Sequence, residues 1–172
     1  MRRIAWMTQA AGLGALLFTG NAAVCQETAK EQAALADALR AKHVALHTGL
    51  KNAASKGTPI SGKYELEGGK LQLSVYTEKG GQFMEVIVDH RTGKVVKSEK
   101  ITDAEDLKAA TAQSQAMAKA NGALASALTK ALAAHPGHGA VSATAALKDG
   151  KPVAEITLLK GTAFTTITEP LS

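Results

Sequence analysis

The sequence predicts an α+β fold built as a tandem duplication of one module, a helix packed on a three- to four-stranded antiparallel sheet. Three observations carry this reading. Residues 60–87 recur at 141–168 with a period of 81 and no gap. Both copies alternate apolar and polar residues, the pattern of a sheet with one buried face and one wet face. Both follow an alanine- and leucine-rich stretch with helical spacing.

The N-terminus reads as an export signal over residues 1–25. Arg2 and Arg3 precede an apolar run from Ala10 to Phe18. That run is well short of the roughly 20 residues a bilayer span takes. The small residues of "GNAAVC" suit cleavage after Cys25, and cleavage after Ala22 fits nearly as well. Lipid anchoring at Cys25 fits less well, because Val24 stands where a small residue is usual. A periplasmic or secreted protein follows, with no transmembrane segment in the mature chain. Loss of Cys25 leaves no cysteine, hence no disulfide and no thiol nucleophile.

Charge and aromatics narrow the partners. The formal net charge is +5, and losing Arg2 and Arg3 reduces it to +3. That is too mild and too dispersed for nucleic acid. Only Tyr64, Tyr76, Phe83 and Phe164 remain to stack on a base, sugar or flavin.

The first module occupies residues 26–101. Thr28-Ala29-Lys30-Glu31 reads as a capping box. Leu35, Leu39, Leu46, Leu50 and Ala53 then form one stripe of a single helix ended by Gly57 and Pro59. Ile60, Tyr64 and Leu66 alternate with polar residues in a first strand. Leu71, Leu73 and Val75 do so in a second, and Met84, Val86 and Val88 in a third. Gly68-Gly69 and Gly80-Gly81 are hairpin turns. A fourth strand, residues 95–101, carries lysines that keep a sheet edge soluble.

The second module, with a connector helix, occupies residues 102–172. Thr102-Asp103-Ala104-Glu105 is a second capping box. The helical stretch runs to Ala134 with a break at Asn121-Gly122, and His135-Pro136-Gly137 ends it. Its leucines match the first helix at a shift of 82. In the sheet, seven of the 28 aligned pairs are identical, among them Gly69-Lys70 on Gly150-Lys151 and Phe83 on Phe164. A period this long means a duplicated domain rather than a solenoid. The copy stops after its third strand, at Glu169-Pro170.

A helix, a meander and then "EVIVDHRTGKV" resemble the PepSY domain family. Val88 and Asp89 end a strand, Thr92 and Gly93 form the turn, and Val95 opens the next strand. The second copy resembles the same module as far as "GTAFTTITEPL". The resemblance implies an exported module that binds or restrains a peptidase or peptide.

The chain lacks the serine-hydrolase, zinc-peptidase and phosphate-loop motifs, so the expectation is a non-enzymatic protein without a cofactor. Glu65 and Glu67 share a strand face with Lys63, which reads as a solvated face rather than a catalytic pair. His43 and His47, four apart on a helix, could chelate a metal. His135 and His138 form a second pair. Together they support an alternative reading as a metal-binding or sensory accessory. The plainer reading makes them boundary and capping residues, with His90 solvated at a turn. The candidate partner surface is the last strand, through Thr162, Phe164, Thr166 and Thr168, because an uncharged edge accepts an added strand.

Overall fold

The computed structural model describes residues 22–172 apart from His43. The export signal expected over residues 1–25 therefore lies outside the described residues except for its last four positions. The chain forms α1 (Ala22–Ala38), α2 (Leu46–Ala53), β1 (Thr58–Glu67), β2 (Lys70–Lys79), β3 (Gln82–Val88) and β4 (Val95–Lys100). It continues through α3 (Ala104–Ala118), α4 (Leu124–Ala134), β5 (Gly139–Lys148), β6 (Lys151–Lys160) and β7 (Ala163–Pro170). The class is α+β, as expected.

The strands make one antiparallel sheet, ordered β4-β3-β2-β1-β5-β6-β7. Tight turns at Gly68-Gly69, Gly80-Gly81 and Asp149-Gly150 close three of its hairpins, each with both turn residues at positive φ. The halves meet where β1 pairs with β5 through Ser61↔Thr144, Gly62↔Ala143 and Lys63↔Ser142. With the period of 81, Gly62 and Ala143 are equivalent, and the flanking pairs exchange roles across them. A local two-fold axis therefore passes through the Gly62–Ala143 pair, and the junction is self-complementary. The sequence predicts a three- to four-stranded sheet in each module; the strands instead run on as a single seven-stranded sheet.

β-Bulges recur at the same offset, between Pro59 and Ser61 in β1 and between Ala140 and Ser142 in β5. A bulge puts one extra residue into a strand and shifts its facing. This corrects the reading of β1: Ile60 does not share a face with Tyr64. Tyr64 joins the main core, whereas Ile60 packs with Tyr76, Ile101 and Ala110 in a second cluster. Tyr76 and Val75 are adjacent in β2, so the two clusters lie on opposite faces. Leu107 and Ala110 of α3 pack in the second cluster, and Ala116 of the same helix reaches the main one.

The helices match at a shift of 78, not 82. Leu46, Gly49, Leu50 and Ala53 are the buried positions of α2, and Leu124, Ala127, Leu128 and Ala131 those of α4. The second copy has three more residues between helix and strand, where one fewer was expected. The leucine match failed because alanine-rich helices align almost equally well at several shifts.

Three further readings are corrected. The single first helix is two, separated by an elbow whose described residues are Lys42, Val44 and Ala45. Lys42 and Ala45 have extended backbones, with ψ of 141° and 150°. The Val44 carbonyl accepts from the Tyr64 hydroxyl, and its amide donates to the His90 carbonyl at 3.0 Å. These tertiary bonds outweigh the propensity of a short leucine-alanine segment to stay helical. Burial pushes the Tyr64 hydroxyl up to about 12, so it remains a donor across the working pH range. Thr28 lies within α1, not at its start. At α3 the cap is Asp103 rather than Thr102; its carboxylate accepts from the amides of Glu105 and Asp106. The break at Asn121-Gly122 falls as expected, between α3 and α4.

Candidate functional site

The turn after Val88 is a latch. The Asp89 carboxylate accepts from the Arg91 amide at 3.0 Å, the Thr92 amide at 2.6 Å and the Thr92 hydroxyl at 2.9 Å. The Thr92 bonds, then that from Arg91, hold its carboxyl below the usual range. Gly93 has φ of 75°, and a Cβ there would lie 3.0 Å from Asn52 Nδ2, whose amide donates to the Gly93 carbonyl. The turn thus fastens α2 and the elbow to the end of β3. Val88, Asp89, Thr92, Gly93 and Val95 come together at this turn, where the Asp89 carboxylate is engaged in holding the turn itself.

The second half makes the same latch differently. The Leu171 carbonyl accepts from the amides of Asn121, at 3.0 Å, and Gly122, at 3.3 Å. Leu171 lies 81 positions after His90, and Gly122 lies 78 after Val44. Leu171 is itself buried in the main core. One leucine replaces the Asp89–Gly93 turn as the anchor. Sequence reading missed this role; an apolar residue immediately after Pro170 was the available signal.

On the sheet face opposite α2, polar groups cluster between β1, β2 and β3. Lys63 Nζ lies 2.7 Å from Glu65 Oε2, with side chains 19% and 21% exposed. This face is half-buried rather than solvated, which corrects the reading of Lys63 and Glu65. Ser74 donates to Glu65 Oε1 at 2.7 Å and accepts from Gln72 at 2.9 Å. Glu85 stands nearby, its Oε1 buried without a hydrogen-bond partner. Burial, with Glu65 and Asp106 close by, pushes the Glu85 carboxyl above its usual range. The Ser74 hydroxyl, which would oppose that shift, has already committed its proton to Glu65.

A raised carboxyl binds its proton more tightly in the folded chain than in the unfolded one. Stability conferred by Glu85 is therefore present at acid pH and falls as pH rises from the unfolded value through the folded one. Glu85→Gln is expected to raise the melting temperature at pH 7.5 more than at pH 4. Parallel melting profiles for the two proteins across that range would exclude a raised Glu85.

The described histidines do not gather into a three-ligand group. His47 begins α2, with Nε2 3.3 Å from the Thr48 hydroxyl. His43 lies outside the described residues. His135 ends α4, and its ring stands 5.6 Å from that of His138 in edge contact. His138 Nδ1 lies 3.2 Å from the His135 carbonyl. His90 is half-buried, with Nδ1 enclosed and unpaired, which corrects its reading as solvated. Among the described residues, no three His, Cys, Asp or Glu side chains gather as a metal site.

β7 lies at one end of the sheet, and β4 at the other. The Leu171 amide donates to the Pro152 carbonyl at 3.1 Å, in register with the β6–β7 ladder. Antiparallel pairs alternate between bonded and non-bonded. Thr165, Ile167 and Glu169 therefore turn their backbone groups toward β6, and Phe164, Thr166 and Thr168 turn theirs outward. Pro170 takes the next outward place, where a missing N–H costs no ladder bond. Thr162 is in the preceding turn, not in the strand. Thr166 and Thr168 are exposed and Phe164 is half-buried.

No protein-family model matches the sequence, and a search of curated proteins gives no match. Among solved structures, the chain is similar to a putative lipoprotein from Clostridium difficile 630. Identity is 16%, over 71% of this chain and 80% of that one, with a TM-score of 0.37. That likeness is too low to define a fold or a role. No helix among the described residues is long and apolar enough to cross a membrane.

Proposed function

We propose that this chain is an exported, non-enzymatic pair of PepSY-like modules that captures an extended peptide, or such a segment of a peptidase, along β7. One observation carries the reading. Phe164, Thr166 and Thr168 aim backbone donors and acceptors outward from a strand whose only charged residue is Glu169. Main-chain bonds would supply the affinity, and neighbouring side chains the selectivity. The opposite edge suits this role less, since Lys97 and Lys100 lie along it. The matched bulges, burial positions and elbow bonds support descent of both halves from one module.

The test uses a panel of capped, unstructured heptapeptides read by fluorescence anisotropy. Thr166→Lys is expected to weaken bound peptides at least tenfold while the circular-dichroism melt stays nearly unchanged. Binding that survives the substitution, or a protein that unfolds with it, would remove β7 as the capture edge.

A further inference from the structure

Resting on that reading, we infer that the captured segment runs antiparallel to β7 and mimics β4: an aliphatic residue covers Phe164, and a basic residue four positions earlier lies beside Glu155. The first half supplies the template. There, the Ile101 amide donates to the Phe83 carbonyl at 3.0 Å, and Ile101 helps to close the cluster around Ile60 and Tyr76. Phe164 is the equivalent of Phe83, 81 positions on. Its carbonyl points outward, and among the described residues no strand lies beyond β7 to answer it.

The ladder between β3 and β4 fixes the rest of the register. Glu85 pairs with Glu99 and Ile87 with Lys97. Carried forward, the partner residue opposite Thr168 takes the place of Lys97. Thr168 pairs with Glu155 on β6, and paired residues project to the same face. Glu155 is exposed, and Thr168 is small enough for a lysine or arginine to reach past it. The edge's own charged residue, Glu169, is also acidic. An aliphatic residue on Phe164 and a cation near Glu155 thus define the ligand as a short, basic, extended peptide.

The probe is a capped heptapeptide with the sequence VVKSEKI, residues 95–101 of this chain, titrated into the full protein and into Thr166→Lys. Binding to the first and not the second is expected, with at least tenfold loss when the peptide's isoleucine becomes aspartate. Replacing its first lysine with glutamate should weaken it severalfold. Peptides that bind at β7 regardless of these changes overturn this inference and leave strand capture standing. If no peptide in either panel binds, both readings fail. If sedimentation shows a dimer that Thr166→Lys dissociates, the occupant is a second copy, and the basic-peptide inference is wrong.

Discussion

Leu171→Ala is expected to destabilise the protein by about 3 kcal/mol, within the range of roughly 2–5 kcal/mol for truncating a buried leucine. Its side chain is 1% exposed, packed in the main core. Only the side-chain contribution is at stake in this variant, because alanine keeps the carbonyl that holds Asn121 and Gly122. Deleting Leu171 and Ser172 together removes both, and should cost more and loosen the start of α4. Hydrogen exchange at the Asn121 and Gly122 amides separates the two effects: protection should persist relative to global stability in the alanine variant and vanish in the deletion. Denaturant melts in which Leu171→Ala costs under about 0.5 kcal/mol, the usual ceiling for a surface change, would mean that the residue is not an anchor.

Gly62→Val should cost about 1–3 kcal/mol, the usual penalty for overfilling a packed core. A Cβ at Gly62 would lie 2.8 Å from Leu50 Cδ2, with Val75 Cγ2 at 3.5 Å and Leu46 Cδ1 at 3.6 Å. Leu50 is fully buried, so its methyl has little room to retreat. Because the clash is with one side chain, Leu50→Ala should relieve it. The double variant should be less destabilised than the sum of the two singles, by about 0.5 kcal/mol or more. Strict additivity would place the cost elsewhere, in the β1–β5 junction itself. The equivalent residue in the second half is already alanine, Ala143, so that side of the axis tolerates a methyl.

Strand content was legible because apolar–polar alternation sustained through residues 60–87, and again through 141–168, suits strands and no helix. Turn glycines fixed the hairpins to within a residue. The junction was not legible. Joining β1 to β5 depends on three residue pairs spanning about 80 residues of sequence, and their side chains, Ser61, Gly62 and Lys63, do not advertise a strand interface. The elbow was hidden for a related reason: a leucine stripe continues across it, since α1 and α2 both pack on the same core. Val44 and His90 reveal the break only through backbone bonds. Of the candidate surface, Phe164, Thr166 and Thr168 were named from composition, while which of their groups point outward required the Leu171–Pro152 bond. Glu85 was passed over because an acid between apolar neighbours reads as the wet side of a strand. Asp106 of α3, brought in from elsewhere in the chain, adds to the rise of its carboxyl.

Joining two modules by a self-complementary junction has a consequence for growth. A free pair of identical modules would have two identical outer strands, both bare or both shielded. Bare strands at both ends would recruit further copies indefinitely, the route to a fibre. Covalent linkage lets the ends differ. Here one end carries Lys97 and Lys100 and the other a single acidic residue, Glu169, so the sheet has a polarity that no symmetric pair can have. If β7 captures a strand as proposed, elongation would start at that end and find no matching surface at the other, so a single capture event would be a terminus rather than the first step of a polymer.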